Sequence, residues 1–155
     1  MQKKWKQLLA ALALPLVIGG LSALLSRKGM ESFGSLKKPP LSPPAWLFPV
    51  VWTVLFLLMG LASWLVYRQG REGRPRWALP AYGLQLFFNF FWSLLFFRWG
   101  LFLPALAWLA VLWGLIVWTL TLFRRARPAA GWLLVPYLLW VTFAAYLNAG
   151  IWLLN

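Results

Sequence analysis

The sequence predicts an all-α fold, a polytopic membrane protein built as a bundle of five transmembrane helices, and three observations predict it. Of the 155 residues, 63% are hydrophobic and 19% aromatic, well above the proportions of a soluble domain. The apolar residues gather in five runs, each about long enough to cross a bilayer, for which roughly 20 helical residues suffice. The runs are continuous rather than alternating, unlike outer-membrane strands, and in lipid a backbone that must satisfy its own N–H and C=O groups is then helical.

The first run, Leu8 to Leu25, follows "MQKKWKQ". A basic start before an apolar stretch also resembles a secretory signal, but no A-x-A cleavage site follows, so a retained helix is expected. Gly19 and Ala23 form a small-xxx-small pair, which permits close helix approach or dimerisation. Next comes a lid loop of about residues 26–45, "SRKGMESFGSLKKPPLSPPA", which mixes charge with Gly and Pro. Its Pro39, Pro40, Pro43 and Pro44 stiffen the chain before the second run, Trp46 to Tyr67, which contains Gly60.

The third run is Trp77 to Phe97, the fourth Leu101 to Phe123 and the fifth Trp132 to Leu154. The connections "RQGREGRPR", "RWG" and "RRARPAAG" combine charge with helix-ending Gly and Pro. Pro80, Pro104 and Pro136 fall near the starts of runs, where a missing N–H costs least. Connections this short leave residues 1–155 as one domain.

The net charge of +13 comes from 15 Lys and Arg against two acids. In a soluble chain that excess would suggest nucleic acid. Here the cations sit in short runs that flank apolar segments, so no nucleic-acid partner is expected. One side of the bundle carries ten of them, on Lys3, Lys4, Lys6, Arg68, Arg71, Arg74, Arg76, Arg124, Arg125 and Arg127. The other side has five, Arg27, Lys28, Lys37, Lys38 and Arg98. The positive-inside rule then places the N-terminus in the cytoplasm of a bacterial-type cell membrane, with the C-terminus and the lid loop outside.

The absences narrow the chemistry. There is no His and no Cys, and Glu31 and Glu72 are the only acidic side chains. No zinc or di-metal cluster, Ser-His-Asp or Cys-His pair, carboxylate dyad, or His or thiolate ligation of haem can be assembled from such a set. The expectation is therefore no metal site, no required cofactor and no acid–base catalytic residue. No Asp, Glu, Lys, Arg or His lies inside a run, with Arg98 at an end, which argues against proton relays and ion-coupled transport.

What remains polar at depth is sparse and ordered. Gln85, Asn89, Trp92 and Phe96 share one helical face, as do Trp140, Ala144 and Asn148, while Trp52 and Phe56 lie one turn apart. Two readings stand side by side. The amides can bridge neighbouring helices, or the three faces can enclose an aromatic, weakly polar cavity. Thirteen tryptophans, with Trp92, Trp108, Trp113 and Trp140 well inside runs, suit stacking on a flat hydrophobic ligand.

Three stretches carry a resemblance: the K-P-x-x-x-P-P-x-W-x-F-x-x-x-W run from Lys38 to Trp52, the Q-x-x-x-N-x-x-W stripe at Gln85, Asn89 and Trp92, and P-Y-L-x-W at Pro136 to Trp140. In order and spacing they resemble the translocator protein family, TspO/MBR, over nearly the whole chain. The resemblance implies a five-helix membrane protein, often a homodimer, that binds porphyrin, haem and other hydrophobic molecules, lipids or sterols among them. It implies a pocket lined by Trp52 and Phe56, by Gln85, Asn89 and Trp92, and by Trp140, Phe143, Ala144, Leu147 and Asn148. Phe33, Pro44, Trp46 and Phe48 would join it from the lid and the second helix, with Lys37 and Lys38 at its mouth.

The implied roles are transport or sensing of the ligand. Light- and oxygen-dependent porphyrin breakdown, with Trp52 and Trp140 as redox-active indoles, and regulation through protein partners are the alternatives. The chain also departs from the family pattern. Ser32-Phe33 stands where relatives commonly have Trp-Tyr, Leu41 where a Trp is usual, and "LNAGIWLLN" lacks the tyrosine and basic residue of the animal sterol motif. Weak or no specific sterol recognition is expected.

Overall fold

The computed structural model describes residues 2–155. In chain order they form α1 (Gln2–Leu25), α2 (Arg27–Ser32), a 3-10 turn (Phe33–Ser35), α3 (Leu47–Tyr67), α4 (Ala78–Ser93), α5 (Phe102–Ala126), α6 (Pro128–Leu133) and α7 (Val135–Leu154). Five helical segments are long and apolar enough to cross a membrane: α1, α3, α4 with its extension to Arg98, α5, and α6 with α7. Among the described residues there is no strand, and the all-α bundle stands as expected.

Three details differ from the sequence reading. The first helix begins at Gln2, well before Leu8, so the basic N-terminal residues are helical too. The lid loop is not bare: α2 and the 3-10 turn occupy its first part. The last span breaks between Leu133 and Val135, with Pro136 just beyond the break. A proline there has no N–H to return to Trp132, so the backbone ladder is interrupted at the point where α6 gives way to α7.

The end of α4 tightens differently. Residues Leu94–Arg98 form a π-turn, in which the Trp99 N–H donates to the Leu94 carbonyl at 2.9 Å. Gly100, at φ 62°, then reverses the chain into α5, a left-handed conformation that suits glycine.

Packing follows from small residues and apolar stripes. A Cβ on Gly60 would lie 2.7 Å from the Ala11 carbonyl oxygen and 2.8 Å from Leu12 Cα, so α1 and α3 meet backbone to backbone there. Met59, Ala62, Leu112, Ile116, Phe123 and Val141 are fully buried where α3, α5 and α7 face the interior. Leu9, Val17, Val54, Val111 and Leu139 are exposed on the outer faces, an apolar surface that fits lipid as solvent.

The proline segment is stitched to the end of α7. Pro39 packs on Gly150, whose Cβ would meet the proline ring at 2.5 Å, and Tyr146 donates its hydroxyl hydrogen to the Pro40 carbonyl at 2.6 Å. Asn155 accepts the Lys37 N–H at 3.2 Å and donates to the Lys37 carbonyl at 2.8 Å. The chain is thus fixed before it turns into α3. Leu41, 85% exposed at φ 71°, takes the left-handed bend between the two Pro pairs.

Candidate functional site

At the lid end of the bundle, aromatic rings from α3, α4 and α7 converge on Trp52. Its indole stacks on Phe56 at 5.5 Å and 27°, lies tilted 6.3 Å from Trp92, and meets Tyr137 and Trp140 edge-on at 6.2 and 6.5 Å. Phe48 stands edge-on to Trp140 at 5.8 Å, and Trp92 stacks on Phe96 at 5.5 Å. These offset and edge-on geometries are the favourable ones for aromatic pairs, each worth about 0.5–1.5 kcal/mol beyond burial.

The polar side chains are spent between helices. The Tyr137 hydroxyl donates to Gln85 Oε1 at 2.7 Å and accepts from Asn89 Nδ2 at 2.7 Å, tying α4 to α7. Trp92 Nε1 donates to Asn148 Oδ1 at 3.1 Å, and Asn148 Nδ2 donates to the Phe102 carbonyl at 2.7 Å, which joins α5 to the same network. The bridging role therefore belongs to Gln85, Asn89 and Asn148. Tyr137 is the member that the sequence reading leaves unassigned. Its signal was a phenol three residues before Trp140 in P-Y-L-x-W, whose hydroxyl must find a partner in a lipid-embedded helix.

A cavity of about 70 Å³ lies between α1, α3 and α4, bordered by Gly19, Phe48, Trp52, Phe56, Asn89 and Phe97, with Met30 of α2 above. A small-molecule site usually offers roughly 300–1,000 Å³. The rings therefore fill most of the interior themselves. Phe33 closes the top: it is buried, edge-on to Phe48 at 5.3 Å and 5.9 Å from Phe97. Lys38 lays its ammonium 4.8 Å above the Phe33 ring. Gly29 seats α2 against the Phe97 carbonyl, a contact too close for any side chain.

Other residues named from the sequence lie around this core. Ala144 and Leu147 are buried in α7, and Phe143 is half-buried between Trp140 at 5.7 Å and Tyr146 at 6.0 Å. Pro44 is exposed and accepts the Leu47 N–H at 3.1 Å, so it serves the start of α3. Trp46, 68% exposed, points away from the cluster. Lys37 is exposed and held through its backbone by Asn155. The Trp140 indole N–H is buried without a protein partner among the described residues.

Beside α2, a depression of about 680 Å³ opens to solvent between Arg27, Lys28, Arg98 and Trp99. Arg98 also donates to the Leu25 carbonyl at 3.0 Å, capping α1. The sequence reading counted these cations for orientation only. Folding gathers them because α2 doubles back over the π-turn that carries Arg98.

The family model described as "TspO/MBR family" matches residues 11–153. The chain belongs to the TspO/MBR family. It is 42% identical to the "Tryptophan-rich protein TspO" of Chlorobaculum tepidum, over 79% of this chain and 78% of that one. It is 40% identical to the "Tryptophan-rich sensory protein" of Cereibacter sphaeroides, over 90% and 84%. With the bovine "Translocator protein" the identity is 32% over 98% of this chain and 92% of the relative. As a TspO/MBR protein with five apolar helices it is a multi-pass membrane protein. Among its described residues no three His, Cys, Asp or Glu side chains come together to hold a metal ion.

Proposed function

We propose that this TspO/MBR protein binds a flat hydrophobic ring, a porphyrin or haem, in the aromatic cluster around Trp52, and that it transports or senses that ligand. The observation that carries the reading is the Trp52–Trp140 pair, two half-buried indoles at 88° and 6.5 Å, beside Phe48 on which the buried Phe33 rests edge-on. Large aromatic faces in a largely apolar site hold a flat ligand by stacking on one indole and by edge contact with the other.

Parting is required, because about 70 Å³ holds no macrocycle. The movable piece is α2 with the 3-10 turn. It is tethered at one end by Ser26, whose N–H donates to the Ser22 carbonyl at 3.0 Å, and at the other by the stitched Pro39–Pro40 segment. Swinging this piece outward withdraws Phe33 and Met30 and opens the cavity beneath. The ring then enters between Trp52 and Trp140, whose indole N–H gains an acceptor. The ligand's carboxylates pair with Lys38, or with Arg27, Lys28 and Arg98 beside α2, at the water-facing end.

The rest of the assignment follows the same reading. Charge bias supports a cytoplasmic N-terminus and a lid outside, and in this reading the protein works as a homodimer. The test is a protoporphyrin IX titration in lipid nanodiscs, followed by the Soret band. Trp140→Ala weakens binding about ten-fold, a loss of roughly 1.4 kcal/mol, and Trp5→Ala leaves it unchanged. Equal affinities for the two variants would point to partitioning into lipid and defeat the reading.

A further inference from the structure

Away from the aromatic cluster, a second set of hollows runs along the opposite half of α1. The first, about 310 Å³, is lined by Lys4, Trp5, Leu8 and Trp64. The second, about 460 Å³, lies between Ala11 and Leu14 of α1, Trp64 and Tyr67 of α3, and Tyr82 and Gly83 of α4. The third, about 330 Å³, shares Leu14 and Gly83 with the second and reaches Ile18, Phe87 and Phe90. Shared walls make them one furrow. From Lys4 to Ile18 it follows α1 for about 21 Å at 1.5 Å per residue.

Its middle is apolar but not inert. The Trp64 indole N–H is buried with no hydrogen-bond partner among the described residues, and the Tyr82 hydroxyl lies buried beside Ser63. Ser63, on the same wall, spends its hydrogen on the Gly60 carbonyl at 2.8 Å. An unpaired donor at membrane depth is costly, so an occupant that supplies acceptors there is favoured. Cations crowd one end: Arg68 lies 4.9 Å over the Trp64 ring and Arg74 5.5 Å over Tyr67, close to Lys4. Donor groups beside an apolar trough, with positive charge at a single end, complement an anionic amphiphile that carries acceptors.

We infer that this furrow holds one anionic phospholipid, with an acyl chain along Leu14 and Phe87, ester carbonyls toward Trp64 and Tyr82, and the phosphate at Lys4 and Arg68. The charge end fixes the polarity of the lipid. The site does not involve Trp52 or Phe33, so lipid and ring ligand bind independently.

The test uses nanodiscs of equal phosphatidylglycerol and phosphatidylcholine, with the lipid retained on the protein after gentle detergent release read by native mass spectrometry. Wild type retains one phosphatidylglycerol in preference. Lys4→Gln with Arg68→Gln lowers that preference about five-fold or more, since both basic residues at the headgroup end are gone. Gly83→Leu fills the furrow without meeting protein, because a Cβ at Gly83 has no atom within 4 Å, and it removes the retained lipid. Retention unchanged in Gly83→Leu, or equal retention of the two lipids by wild type, overturns the inference. So does a Gly83→Leu chain that loses an oligomer while keeping its lipid, which would assign the furrow to a second copy.

Discussion

Tyr137 donates its hydroxyl hydrogen to Gln85 Oε1 across 2.7 Å, and this bond holds α7 against α4 behind the Trp52 cluster. The same hydroxyl accepts from Asn89 at 2.7 Å. Tyr137→Phe therefore removes two bonds and leaves Gln85 Oε1 and Asn89 Nδ2 without a partner in a buried place. The expected cost is about 1–2 kcal/mol, between the penalty for stranding buried polar groups and the smaller values measured inside membranes. Thermal unfolding in a mild detergent reads it. An unchanged midpoint would mean that Gln85 and Asn89 re-pair with each other and that the phenol adds nothing.

Trp92 and Asn148 form the second bridge, at 3.1 Å. A double-mutant cycle of Trp92→Phe and Asn148→Ala should return a coupling of about 0.6–1.7 kcal/mol, the range of interhelical hydrogen bonds in a membrane. Strict additivity would show that the two side chains act separately.

Gly60 is irreplaceable for a different reason. A Cβ there meets the Ala11 carbonyl and the Leu12 backbone, neither of which can rotate away. Gly60→Val should destabilise by about 1–3 kcal/mol or more through forced separation of α1 and α3, while Gly114→Ala, which faces open space, should be neutral or slightly stabilising. The comparison is made on detergent-solubilised protein by the temperature at which half aggregates.

Phe33 is buried yet belongs to a segment outside the spans. If it is the plug, Phe33→Ala speeds association of protoporphyrin IX several-fold in stopped flow, because opening no longer costs the contacts with Phe48 and Phe97, each worth on the order of 1 kcal/mol. Association at the wild-type rate would place the route of access elsewhere.

The five spans were legible because lipid imposes a helical solution on any long apolar run, and Trp77 to Phe97 or Leu101 to Phe123 have no other use. That Gln85, Asn89 and Trp92 share one face of a single helix was legible from their spacing. Pairing across helices was not: nothing in the spacing says that Tyr137, rather than Trp140, meets Gln85. The lid was hidden for a related reason. Short α2 lacks the length to announce itself, and it is held by Gly29 on the Phe97 carbonyl and Phe33 among Phe48 and Phe97, contacts between residues far apart in sequence. The place of Trp46 was not legible, because an aromatic in a proline-rich motif reads equally well as a wall of the site and as an interface anchor, and its exposure is decided by which way α3 begins.

The most direct measurement is an experimental structure of the protein with protoporphyrin IX bound in nanodiscs. The account predicts the macrocycle between Trp52 and Trp140, with Phe33 withdrawn from its 5.3 Å contact with Phe48. A macrocycle on the outer surface, with Phe33 still seated and the Trp52–Trp140 contact intact, would contradict it.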